Sequence, residues 1–246
     1  MEKKNKKVRR TNAEIDSVVM TELIKLVQQN GFDKVNVTTL MANANIESNV
    51  FYRRYTNIDN LYDKLAKSYD FWINDTIKIS ELNDLGPKLF FAKTLKTLYK
   101  EFLDNTIMQK LLIWEIATDN STTRRTALMR DTMNLNMVEY YDLLFKPAKI
   151  NIRCIIAILI SGIYYLILHK DRAPFCSINF NTSEGEKAFS EAIDDLVEVL
   201  FNQIETYNYK RECLDRMLKD GISMGKACQY LGVDITEFES NASICP

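Results

Sequence analysis

"GFDKVNVTTLMANANIESNVFYRRYTNIDNLY", residues 31–62, decides how this chain folds. Upstream of it, Ile15, Val18, Val19, Leu23, Leu26 and Val27 recur at helical spacing, which predicts a first helix over about 12–29. Gly31 can take the left-handed conformation that closes such a helix, and Phe32 folds back against its end. Asn36 then caps a second, short helix whose buried face is Val37, Leu40, Met41 and Ala44. Asn45 stands where the chain must turn, and asparagine tolerates positive φ better than any residue except glycine. Ile46 plugs the corner. A third short helix runs from about Ser48 to Tyr55. Asn57 and Asp59 offer caps for a longer helix carrying Leu61, Tyr62, Leu65, Tyr69, Trp72 and Ile73 on one side.

Two short helices joined by a tight turn, with another helix in front, make a helix-turn-helix plan. Small Ala44 and apolar Ile46 let the two helices cross closely. The third helix carries Phe51, Tyr52, Arg53, Arg54 and Tyr55 together. Phe51 and Tyr55 are expected to pack inward. The two arginines read either as a solvated helix edge or as a surface that meets a phosphate backbone.

Charge favours the second reading. Residues 1–67 hold 12 Lys and Arg against 8 Asp and Glu, while the remainder holds 20 against 25. Six of the basic residues (Lys3, Lys4, Lys6, Lys7, Arg9 and Arg10) fall within the first ten. A basic front on an acidic body is the asymmetry expected when one end meets a polyanion.

Beyond residue 80 the pattern is a series of longer helices, and scarce glycine (7) and proline (4) in 246 residues agree with an all-α chain. Gly86-Pro87 opens one helix. Others cover roughly Ile107–Thr118 and Thr122–Phe145. Residues 148–169 are apolar nearly all round, which predicts burial on more than one side. Ala192, Ile193, Leu196, Val197, Leu200, Phe201 and Ile204 then form a stripe at helical period. From about Tyr209 the chain reads as helix, turn and short helices punctuated by Gly221 and Gly232. Five basic against six acidic residues there favour a docked cap over a second DNA reader. No internal repeat is evident.

Residues 12–62 resemble the N-terminal domain of TetR-family transcriptional regulators. The resemblance runs through Gly31-Phe32, Val37, Leu40, Ala44, Ile46, Phe51-Tyr52, Tyr55 and Leu61. It covers about a fifth of the chain. Three positions depart from the family pattern: Asn45 replaces the usual turn glycine, and Glu47 the Ser or Thr that often begins the recognition helix. Ile58 replaces a phosphate-contacting Lys. Ser48 is expected to take over the capping, and Arg53 or Arg54 the lost backbone contact.

The resemblance implies four regions: a basic arm (1–11), a helix-turn-helix domain (12–58), a ligand-binding and dimerisation bundle (59–208), and a helical appendage (209–246). It implies that Thr38, Ser48, Asn49, Tyr52, Arg53 and Arg54 meet a near-palindromic double-stranded DNA operator, with Tyr52 and Arg54 on phosphates. It implies a homodimer through helices near 148–169 and 187–206. A small apolar or amphipathic ligand would lie among Tyr69, Trp72, Phe90, Tyr99, Phe102, Trp114, Tyr141 and Tyr164, and its binding would release DNA. The competing reading is a helical adaptor whose basic N-terminus binds an acidic partner.

Other classes find little support. His169 is the sole histidine, and the five cysteines show no C-x-x-C spacing, so no metal set, cofactor or catalytic constellation stands out. Catalysis is not expected. No apolar signal segment follows the basic start, and the run Cys154–Leu168 is short for a membrane span, so a cytoplasmic protein with reduced thiols is expected.

Overall fold

The computed structural model describes residues 11–69, 78, 80–234 and 238. Residues 1–10 of the basic arm, Trp72, Ile73, and residues 235–237 and 239–246 lie outside the described residues. Among those described there are ten α-helices and no strand. They are α1 (Asn12–Asn30), α2 (Val37–Asn43), α3 (Ser48–Arg54), α4 (Ile58–Tyr69) and α5 (Glu81–Asp104). After these come α6 (Thr106–Ala117), α7 (Ser121–Phe145), α8 (Ile152–His169), α9 (Ser183–Lys219) and α10 (Met224–Leu231). The chain divides into two compact units, one drawn from residues 1–77 and 100–133, the other from 78–99 and 134–246.

The first unit is built on α1. Thr11 and Glu14 form a reciprocal capping box at its start, satisfying two backbone donors at once. Val19, Leu23, Leu26 and Val27 give it a buried stripe, and Gly31 (φ 81°) ends it. Phe32 folds under and stacks on Trp114 of α6, with ring centroids 4.6 Å apart. The Tyr62 ring meets both edge-on. Its hydroxyl donates to the Phe32 and Val35 carbonyls at 2.8 and 3.0 Å. Trp114 therefore belongs to the core that supports the helix-turn-helix, so the spatial grouping crosses the linear division at residue 58.

In the second unit Phe91 of α5 packs on Tyr141 and Phe201, and Phe145 also meets Phe201. Tyr99 stacks on Phe189 at 4.0 Å. Gly86 (φ 75°) interrupts α5, so its regular run begins at Pro87 as expected. The expectation that 148–169 is buried on several sides needs correction. The helix begins at Ile152, and its buried residues are one stripe, Ile152, Ile156, Ile163 and Ile167. Ile158 and Tyr165 are exposed. Composition reports how apolar a helix is, not how many of its faces have partners in one chain. Its 18 residues are also long and apolar enough to cross a membrane by length and composition, unlike the shorter run expected.

A second correction concerns residue 209, where a separate appendage was expected. α9 runs without a break from Ser183 to Lys219, because no glycine or proline falls between Gly185 and Gly221. Its last turns then carry α10 and a small core of Leu214, Ala227, Cys228 and Phe238.

That small core repeats the frame of the helix-turn-helix, although no repeat is legible in the sequence. Asn36 and Ser223 occupy the N-cap positions of α2 and α10. Leu40 and Met41 are buried in α2, as Ala227 and Cys228 are in α10. Asn45 (φ 52°) and Gly232 (φ 61°) make the left-handed turns. The following amides, of Ile46 and Val233, donate back to Met41 at 3.0 Å and to Cys228 at 3.1 Å. Phe51 and Phe238, equally far beyond each turn, are both buried. Of these framing positions only the phenylalanine keeps its identity.

Candidate nucleic-acid interface

The turn between α2 and α3 fixes which side chains face outward. Positive φ at Asn45 reverses the chain within one residue, and Ile46 enters the corner half-buried. Phe51 (0% exposed) and Tyr55 anchor α3 from its inner side. Positions 48, 49, 52 and 53 lie one turn apart on the other side. Ser48, Asn49, Tyr52 and Arg53 are all exposed there, Tyr52 by 62%, and Thr38 is exposed at the start of α2. Five of the six expected DNA-binding residues are thus on the surface.

Capping differs from expectation. Glu47, not Ser48, holds the N-cap position of α3 (φ −68°, ψ 139°), and no side chain caps the helix. Ser48 is already the first helical residue. Glu47 is still well placed, because a carboxylate is favoured at the positive end of a helix dipole. It also accepts from the Asn49 amide at 3.3 Å, which orients Asn49.

Arg54 differs more sharply. Its guanidinium reaches back to α1, donating from Nε to Asp16 Oδ1 at 3.1 Å and from Nη2 to Asp16 Oδ2 at 2.7 Å. It also donates to the Asn12 side chain at 2.6 Å and the Asn12 carbonyl at 2.8 Å. The Tyr55 hydroxyl donates to the same Asp16 carboxylate. Such a fork-shaped, bidentate pair fixes orientation as well as charge. Arg54 is therefore a strut between α3 and α1, its guanidinium engaged by Asp16 and Asn12 instead of standing free on the outer face. Its hydrogen bonds hold the Asp16 carboxyl below the usual carboxylate range. Asp16 in turn raises the guanidinium. Burial, then the bond to Asp16, pushes the Tyr55 phenol up to about 12. Asp16 and Asn12 were not legible as site residues, since nothing local marks a partner 38 residues away.

An open cleft of about 280 Å³ lies where α3 ends and α4 begins. Tyr55, Thr56 and Asn60 form one part of its wall, and Lys64 and Lys67 another. Asp63 lines it too, but accepts from the Thr122 hydroxyl at 2.6 Å and pairs with Arg125. The first turn of α4 is ordered by Asn57, whose side-chain oxygen accepts from the Asn60 amide at 3.0 Å. The two lysines were missed because their i, i+3 spacing reads as an ordinary solvated face.

The expected ligand-pocket aromatics are divided between the units. Phe102 and Trp114 are buried in the first, with Tyr69 half-buried. Phe90, Tyr99 and Tyr141 are buried in the second, with Tyr164 half-buried. Trp114, Tyr99 and Tyr141 fill space against other rings. The Tyr141 hydroxyl donates to the Pro87 carbonyl at 2.9 Å, whereas the buried Tyr99 hydroxyl has no hydrogen-bond partner among the described residues. Among the described residues no His, Cys, Asp and Glu cluster is arranged to hold a metal ion.

No family model matches the chain, and neither a curated protein nor a solved structure matches it.

Proposed function

We propose that the protein is a ligand-responsive DNA-binding transcriptional regulator of the TetR type, acting as a repressor. The observation that carries this reading is the outer face of α3. Ser48, Asn49, Tyr52 and Arg53 are exposed together on a short helix whose inner side is fixed by Phe51, Tyr55 and the Arg54–Asp16 strut. A helix so presented enters a major groove by its N-terminal residues. There Arg53 hydrogen-bonds guanine and Asn49 adenine, each discriminating by about 1–3 kcal/mol. Tyr52, with Thr38 from α2, reaches the adjacent backbone.

Two such faces are needed to read a near-palindrome. The exposed apolar side chains Ile158 and Tyr165 on α8 and Val199 on α9 suit a homodimer formed through these helices. An amphipathic effector in the second unit would meet the buried Tyr99 hydroxyl. It releases the operator to the extent that it binds the DNA-incompetent spacing more tightly. Selection of genomic fragments by the purified protein, followed by footprinting, tests the reading. The expected result is a paired footprint with half-sites about one helical turn apart. A protein that enriches no fragment, or sediments as a monomer at micromolar concentration, contradicts it.

A further inference from the structure

The charges in the cleft at the foot of α3 sort into two sets. Arg54 is taken up by Asp16 and Asn12, and Asp63 by Thr122 and Arg125. Lys64 and Lys67 are left over. Both are exposed, one helical turn apart on α4, and neither has an ion-pair partner among the described residues. Lys64 is nonetheless held in place, since its Nζ lies 4.9 Å from the centroid of the buried Tyr55 ring. Thr56 and Asn60 add a neutral hydroxyl and amide to the same wall. Two ammonium groups without an ion-pair partner among the described residues, with neutral donors beside them around one open cleft, are the chemistry of a tetrahedral oxyanion site.

We propose that this cleft binds one phosphodiester group of duplex DNA, beside the bases that the α3 face reads. The proposal rests on the DNA-binding reading above. It gives the interface a backbone anchor in place of Arg54, which the strut to Asp16 occupies. A phosphate contact carries no sequence information and acts alike on all sequences.

The test is the salt dependence of full-length protein binding to a short random-sequence duplex, which needs no known operator. Neutralising one phosphate contributes about 0.9 to the slope of log affinity against log salt. The Lys64→Gln/Lys67→Gln variant is expected to lose about that much slope. The Lys64→Arg/Lys67→Arg variant keeps the charge and is expected to retain the wild-type slope. Both variants stay folded, the glutamine variant melting only slightly lower for loss of the Lys64–Tyr55 contact, because both side chains are exposed. An unchanged slope in the glutamine variant, with Arg53→Ala still weakening binding, overturns the cleft and leaves the DNA reading standing. Loss of slope in the arginine variant as well overturns a charge-based site. Wild-type protein that retains no duplex even at low salt overturns both readings together.

Discussion

The two ends of the chain carry the same small frame set in different sequences. At the N-terminal end, Asn36, Leu40, Met41, Asn45, Ile46 and Phe51 set a capped helix, a left-handed turn and a buried aromatic. At the other end, Ser223, Ala227, Cys228, Gly232, Val233 and Phe238 do the same. Around the first frame the sequence places Asn49, Tyr52, Arg53 and Arg54. At the matching places beyond the second stand Thr236, Glu239, Ser240 and Asn241. The frame is a packing solution, and a function is added only by what its outer face presents.

The largest effects should come from the two buried phenylalanines. Phe51→Ala removes a fully buried ring and should cost about 3–5 kcal/mol, with loss of duplex binding. Phe238→Ala should loosen the C-terminal core and leave duplex binding intact. Denaturant unfolding and gel-shift titration read both effects. Equal loss of DNA binding in the two variants would break the distinction between the modules.

Next comes the strut between Arg54 and Asp16 in the first module. Asp16→Asn should destabilise by about 0.5–1 kcal/mol at neutral pH, since the pair is part-exposed and screened. The Asp16 pKa is lowered by folding, so its contribution is present above the unfolded carboxyl value. That contribution is lost as pH falls through the lower folded one. Wild type and variant should therefore begin to converge below pH of about 4 and meet once the pH lies below the lowered folded value. A difference that persists there would mean that Asp16 acts through packing. Arg54→Ala should lower the thermal midpoint without changing the salt slope of duplex binding. A lost slope would return Arg54 to the phosphate.

The smallest effect should come from exchanging the turn residues. Asn45→Gly and Gly232→Asn should each change stability by less than about 1 kcal/mol, because both residues accept positive φ. Valine at either position should cost more than the exchange, its branched side chain clashing in that conformation. Tolerance at one turn and intolerance at the other would show that the frames are not equivalent.

The sequence made the first frame legible through local signals. Apolar spacing placed Leu40 and Ala44, the cap at Asn36 placed α2, and the preference of asparagine for positive φ placed the turn. What stayed hidden was non-local. Arg54 and Asp16 are paired only because α1 and α3 cross. Trp114 reads from sequence as a pocket residue, but it is stacked on Phe32, far from it in the chain. The second frame was hidden because it tolerates Ala227 for Leu40 and Cys228 for Met41, so that shape recurs while identity does not. For α8, length and apolarity were plain, but its one-sided burial depends on which partners a single chain supplies.

The central claim is that the outer face of α3 reads bases. It is tested most directly by measuring wild type and Arg53→Ala against every single-base variant of a selected DNA fragment. The account predicts that Arg53→Ala loses discrimination at one base pair in each half-site, about tenfold or more, and keeps it elsewhere. A uniform loss across all positions, or no change at any, would contradict it.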